Sequence, residues 1–175
     1  ILQPSAAIII IGDEILSGRT QDTNTQFLAK KLTDVGINLC EVRVVADIKA
    51  EIVSTVEALS TKYDYVFTSG GIGPTHDDIT ADSIAEAFKV SISVRDDARK
   101  LIAENYINGE ASLNEARLKM ARIPDGAILI DNPISKAPGF QLSNVYVMAG
   151  IPTIFKAMVE SIVPNLVGGK PLLSI

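Results

Sequence analysis

Six consecutive residues, Ala6-Ala-Ile-Ile-Ile-Ile11, carry no polar side chain and stop at Gly12. A strand with one face in water would alternate apolar and polar residues, and this run does not. It falls far short of the roughly 18 apolar residues that span a bilayer. It therefore predicts a strand buried on both faces, the situation of parallel sheets covered by helices on both sides.

The rest of the chain repeats a strand–helix rhythm. Phe27, Leu28, Lys31-Leu32 and Val35 give a helical period over Thr23–Val35, closed by Gly36. Ile37–Ala46 reads as a second strand, Lys49–Thr61 as a helix and Tyr65–Thr68 as a third strand. A helix over Asp78–Phe88 follows. This alternation predicts a parallel sheet with helices on both faces. Beyond it come a short run at Ser91–Val94 and a helix from Asp96 to about Tyr106. Ser112-Leu-Asn-Glu115 has capping-box spacing and should open a helix to about Ala121. Ala127–Ile130, an irregular Pro-rich stretch at 131–139, a strand at Asn144–Met148 and a helix at Pro152–Val163 complete the pattern.

Composition narrows the chemistry. The 175 residues fit one domain, 1–175, and 47% hydrophobic content with a mean hydropathy of +0.26 argues for a packed, largely aliphatic core. The formal charge of −5 disfavours a nucleic-acid-coating protein. One Cys and one His exclude an intrachain disulfide, a Cys-based zinc site and a multi-His metal site. With no bilayer-length run and no signal-like segment, the expectation is a cytoplasmic protein that engages neither membrane nor nucleic acid. Catalysis would then rest on carboxylates, backbone amides, Lys, Arg or a metal with oxygen ligands.

The sharpest motif is Ser69-Gly-Gly-Ile-Gly-Pro-Thr-His-Asp-Asp-Ile-Thr80, between a strand and a helix. Three glycines in four residues let a ligand approach the main chain closely. The following helix N-terminus offers unpaired N–H groups suited to phosphate. A plain turn, with Asp77 and Asp78 facing the helix dipole, would need only one glycine. The Gly-Lys-Ser/Thr ending of a Walker A loop is missing. Ser69, Gly70, Gly71, Gly73, Pro74 and Thr75 are thus candidate phosphate-binding residues, at the strand ends where open α/β sheets bind ligands.

Acids gather at the same predicted edge: Asp13 and Glu14 after strand one, Asp47 after strand two, Asp77 and Asp78 after strand three. Asp82 would share a helix face with Asp78. Phosphate beside several carboxylates implies a bridging divalent cation, since hard ions take oxygen ligands. Asp13, Asp47 and Asp78 are the candidate metal ligands, although some of these acids could simply be helix caps. Gly12, Asp13, Glu14 and Asn24 belong to a second polar loop, in which Asn24 reads equally as a helix cap. Asn132–Gly139 could close over a ligand through Ala137, Pro138 and Gly139, and Lys136 is its one cation. His76 reads as a solvated loop residue, Cys40 as a small core residue, and Gly150-Ile-Pro152 as the opening of the last helix.

Gly12-Asp-Glu-Ile-Leu-Ser-Gly18, Asp22-Thr-Asn24, Gly70–Thr80, Asn132-Pro through Ala137-Pro-Gly139 and Gly150-Ile-Pro152 occur in this order. Together they resemble the molybdopterin-binding (MoCF biosynthesis) domain family over nearly the whole chain. The match is best to the CinA-type N-terminal domain, and the corresponding domain of eukaryotic FAD synthases is similarly close. The resemblance implies a three-layer α/β/α sandwich with a mostly parallel sheet, binding a pterin or nucleotide phosphate at the sheet edge. It implies catalytic roles for Asp47 and Asp78, with Asp77 beside them, and a homo-oligomer, trimer or dimer. CinA-type relatives imply metal-dependent cleavage of nucleotide pyrophosphates such as ADP-ribose or FAD, with Mg²⁺, Mn²⁺ or Co²⁺. MoaB- and Mog-type relatives imply molybdopterin adenylyl transfer instead, but tend to carry Arg-Asp where this chain has Asp77-Asp78. A non-catalytic pterin- or nucleotide-binding module is the third expectation.

Overall fold

The computed structural model describes residues 3–170. The apolar run forms β1 (Ser5–Ile11), and every residue from Ala6 to Ile11 is buried. After a single-turn helix α1 (Asp13–Leu16) come α2 (Asn24–Asp34), β2 (Asn38–Val45), α3 (Lys49–Lys62), β3 (Tyr65–Ser69) and α4 (Thr80–Phe88). The second half holds β4 (Ile92–Val94), α5 (Asp96–Ala103), α6 (Glu115–Lys119), β5 (Arg122–Pro124), β6 (Ile128–Ile130), β7 (Gly139–Leu142), β8 (Val145–Met148) and α7 (Pro152–Ile162).

The main sheet has the order β2-β1-β3-β8-β7-β6. The first four strands are parallel, and β7 runs antiparallel to both of its neighbours. Successive side chains of a strand point to opposite faces. Ala7, Ile9 and Ile11 accordingly pack with Ile52, Val56 and Leu59 of α3 and Ile84 of α4, whereas Ala6, Ile8 and Ile10 pack with Leu28 and Leu32 of α2 and Phe155 and Met158 of α7. Each Ile, Leu, Val, Phe or Met among them contributes about 1.5–3 kcal/mol by leaving water. The result is the expected three-layer sandwich, with all four parallel strands delivering their carboxyl ends to one edge.

Several local expectations are corrected. Cys40 is exposed on the edge strand, at a register shift against β1, and is no core residue. The capping-box serine does not cap: Ser112 closes a 3₁₀ turn, and Asn114 caps α6 by accepting from the Arg117 amide. The helix expected from Asp78 starts at Thr80, leaving both aspartates in the loop before it. Strands β5 and β7 carry no pattern that announces them. β5 pairs with β4 as a separate two-stranded ribbon, and the helix expected to reach Tyr106 stops at Ala103.

Candidate functional site

Asp13 and Asp47 meet at the ends of β1 and β2. The Asp13 amide donates to Asp47 Oδ2 and the Asp47 amide donates to Asp13 Oδ1, each at 3.1 Å. Burial raises the Asp47 carboxyl above its ordinary range, opposed by the Asp13 N–H and reinforced by the charges of Asp13, Glu14 and Asp78. The sheet edge thus concentrates negative charge on Asp47, as expected from the sequence, and each clasp bond occupies one carboxylate oxygen of its acceptor. Among the described residues no group of three or more His, Cys, Asp or Glu side chains is placed to hold a metal by itself. The donor set fits a hard divalent ion that keeps one or two carboxylates and takes its remaining ligands from phosphate and water.

The glycine loop is shaped by contacts that exclude a side chain. At Gly70, φ is +107° and a Cβ would lie 2.2 Å from the Ile11 carbonyl oxygen; at Gly71, φ is +77° and a Cβ would strike Thr80 Oγ1. Thr80 fixes this turn, its amide donating to the Gly71 carbonyl and its hydroxyl to the Gly70 carbonyl. Downstream, Asp78 Oδ2 accepts from both the amide and the hydroxyl of Thr75, at 2.9 and 2.8 Å. Asp78 therefore holds the Gly73-Pro74-Thr75 bend, and its other oxygen is not used by this bond pair. Asp77 stands apart, 78% exposed at its side chain, with His76 at 3.4 Å. Asp82 does not join Asp78; it binds Arg122 of β5 at 2.6 Å.

Asn24 is buried and is not the cap of α2. Asp22 takes that part, accepting from the Asn24 and Thr25 amides. Asn24 Nδ2 instead donates to Ser69 Oγ at 2.9 Å and to the Gly150 carbonyl at 3.0 Å, tying α2 to β3 and to the loop before α7. Its Oδ1 is buried with no partner among the described residues, beside a small cavity whose lining includes Ile11, Glu14, Thr20, Ser69 and Gly150. Gly12 is extended, at φ 165°, and only the flexible Glu14 carboxylate lies where its Cβ would be.

The 131–139 stretch is organised by one side chain. Buried Asn132 donates to Ser135 Oγ and the Ala137 carbonyl, and accepts from the Ile134 and Ser135 amides. Pro138 faces the glycine loop across a cavity shared with Gly71, Gly73 and Asp78. Gly139 is required by the sheet, since a Cβ there would lie 2.4 Å from the Val147 carbonyl oxygen. Lys119 and Arg122 line the same cavity and were not signalled by any local motif. Lys119 Nζ donates to the Thr75 carbonyl, so α6 braces the glycine loop from more than 40 residues away.

The profile of a probable molybdopterin-binding domain matches residues 7–168. The chain belongs to the molybdopterin-binding domain family. A relative in Pyrobaculum calidifontis is 36% identical over 171 residues, covering 95% of this chain and 65% of its own length. A Pyrococcus furiosus relative is also 36% identical, covering 94% and 70%. The chain thus spans about two thirds of the length of such relatives. Among solved structures, the CinA protein of Thermoplasma acidophilum, described as of unknown function, is 34% identical with a TM-score of 0.86, covering 93% of this chain and 98% of that one. MoaB of Thermus thermophilus superposes with a TM-score of 0.61 at 16% identity over 93% and 91%, a likeness of fold alone. The chain is a CinA-like member of the molybdopterin-binding domain family, and no helix among its described residues is long and apolar enough to cross a membrane.

Proposed function

We propose that this domain binds a phosphate-bearing pterin or nucleotide at the carboxyl edge of its sheet and hydrolyses a phosphoanhydride with a divalent metal. The observation that carries the reading is the clasp of Asp13 and Asp47 at the sheet edge, together with the cavity lined by Gly71, Gly73 and Asp78 of the glycine loop. Gly70, Gly71 and Gly73 let the ligand's phosphates approach the backbone. One or two of Asp47, Asp78 and Asp13 would give carboxylate oxygens to the ion, with phosphate and water completing its shell. When bound, the ion neutralises phosphoryl charge and lowers the pKa of a bound water. Water then attacks phosphorus as the P–O bond to the leaving phosphate breaks, and its proton passes to solvent. Asp77, exposed beside His76, reaches toward solvent at the mouth of the site.

ADP-ribose and FAD are the substrates to try. Cleavage would yield AMP with ribose 5-phosphate, or AMP with FMN. The test is product analysis with Mg²⁺, Mn²⁺ or Co²⁺, alongside molybdopterin with Mg-ATP. Metal-dependent AMP release from a dinucleotide supports the reading. An adenylylated pterin in place of hydrolysis replaces it with adenylyl transfer. Ligand binding without turnover under any metal replaces it with a non-catalytic module.

A further inference from the structure

Asn24 is 4% exposed, and its surroundings fix which way its amide points. The Gly150 carbonyl can only accept, so the group that faces it at 3.0 Å is Nδ2. The second Nδ2 proton goes to Ser69 Oγ at 2.9 Å. Both donors are therefore spent inside the protein, and Oδ1 is left as a buried acceptor with no partner among the described residues. Buried side-chain oxygens are as a rule paired, so this one calls for a donor from outside the chain.

Ser69 supplies the opposite half. Its Oγ takes the Asn24 proton, which turns its own O–H away from Asn24. Ser69 and Asn24 line one cavity together with Glu14, Thr20 and Gly150. Its volume is about 50 Å³, where one ordered water needs about 10–15 Å³. The space thus takes more than a single bridging water, and exposed Glu14, Thr20 and Gln21 at its rim give it a way out to solvent.

A fixed acceptor beside a hydroxyl donor is the complement of an amidine edge, in which an exocyclic amino group sits next to a ring nitrogen. Adenine presents that edge at N6 and N1, and a pterin at N2 and N1. Hypoxanthine presents the reverse, a carbonyl beside an N–H, and its oxygen would face Oδ1. Position agrees with chemistry. Ser69 ends β3, and Gly71, two residues on, lines the glycine-loop cavity. Two residues span about 7 Å at most, so the two cavities flank one short stretch of chain that a single ligand can straddle.

We propose that Asn24 Oδ1 and the Ser69 hydroxyl form a base-reading subsite that selects a heterocycle with an amino group next to a ring nitrogen, of the adenine or the pterin type. The amine donates to Oδ1, and the ring nitrogen accepts from Ser69. The subsite rests on the phosphate reading above for where the rest of the ligand lies. Its own contacts need neither phosphate nor metal, so the two readings fail separately.

Phosphate-free probe pairs test it on the whole chain: adenosine against purine riboside, and pterin against pteridin-4-one, each pair differing by one amino group. NMR titration follows the Asn24 side-chain amide and the Ser69 backbone amide. In one pair the amino member should shift both signals and bind about tenfold tighter than its partner, and that pair names the ligand type. Asn24→Ala should bring the ratio close to one. The ratio is the readout because loosening the tie between Ser69 and Gly150 weakens both members alike, and the wild-type comparison holds without the variant. Equal affinity within both pairs, no shift at Asn24 from any of the four compounds, or a ratio that survives Asn24→Ala overturns the proposal and leaves the cavity to ordered water. Discrimination without turnover of ADP-ribose or FAD keeps the subsite and defeats the hydrolytic reading. AMP release by a domain that does not discriminate does the reverse.

Discussion

Asp13 and Asp47 each accept the other's backbone amide, both at 3.1 Å, so the ends of β1 and β2 are locked together by the two carboxylates that face the candidate site. The same contact that fixes their position forces like charges together in a half-buried setting. Opposite demands on stability and on function follow.

Asp47→Asn should raise thermal stability near neutral pH while reducing hydrolysis about 100-fold or more, the scale of removing one electrostatic contact to a reacting phosphoryl group. An asparagine oxygen still accepts from the Asp13 amide, and the charge is gone. The sign follows from the upward shift. A carboxyl held above its unfolded value costs nothing below that value, and stability declines as pH rises through the folded one. The melting temperatures of wild type and variant should therefore converge below about pH 4 and separate towards pH 7. Differential scanning calorimetry across that range checks it, and added Mg²⁺ should stabilise only the wild type.

Gly70→Ala should be costlier than its size suggests. The new methyl meets the Ile11 carbonyl oxygen, a main-chain atom of the central strand that cannot swing aside, at a φ that L side chains rarely adopt. A loss of about 1–3 kcal/mol, read from the urea midpoint, is expected. Gly18→Ala has a positive φ too but open space around its Cβ, so it should cost less. Equal costs would mean that backbone conformation alone, and not the approach to Ile11, governs this loop.

What was legible followed from periodicity and run length. Ala6–Ile11 announced β1, and the glycine motif was placed correctly after β3 because its flanking strand and helix patterns are unambiguous. Signals shorter than a turn competed less well. Ser112 and Glu115 have the right spacing, yet Asn114 sits two residues closer to the helix and its side chain wins the Arg117 amide. Asp78 looked like a first-turn residue, but its carboxylate folds back on Thr75 and delays α4 to Thr80. β7 has only four residues behind a proline and is set by tertiary pairing with β8. Lys119 of α6 and Arg122 of β5 reach the site from elements that no local pattern connects to it.

Asn132→Ala should loosen the 131–139 stretch without unfolding the domain. Four hydrogen bonds of one buried side chain are lost, two of them from loop amides that water can partly recover. A cost of about 1–3 kcal/mol is expected from the buried groups left unpaired. Hydrogen exchange should accelerate at Ile134 and Ser135 while the β1 amides stay protected. Ligand affinity should fall if Pro138 closes over the glycine loop, which calorimetric titration with a nucleotide reads directly.

Glu41 provides the acid-side counterpart to Asp47. Tyr63 Oη donates to it at 2.7 Å and Arg43 adds a second bond, which together hold its carboxyl down at about 2 against an ordinary 4.5. A depressed carboxyl contributes stability that is fully present above its unfolded value and is lost as pH falls through the folded one. Acid melting should therefore draw on Glu41 between about pH 4.5 and about pH 2. Tyr63→Phe keeps the ring packed on the core but removes the largest cause of the shift. It should lower the melting temperature at pH 7, with the deficit shrinking towards pH 2, and move the Glu41 carboxyl resonance in an NMR titration upward. A variant whose deficit is the same at both pH values would place the role of Tyr63 in packing rather than in its bond to Glu41.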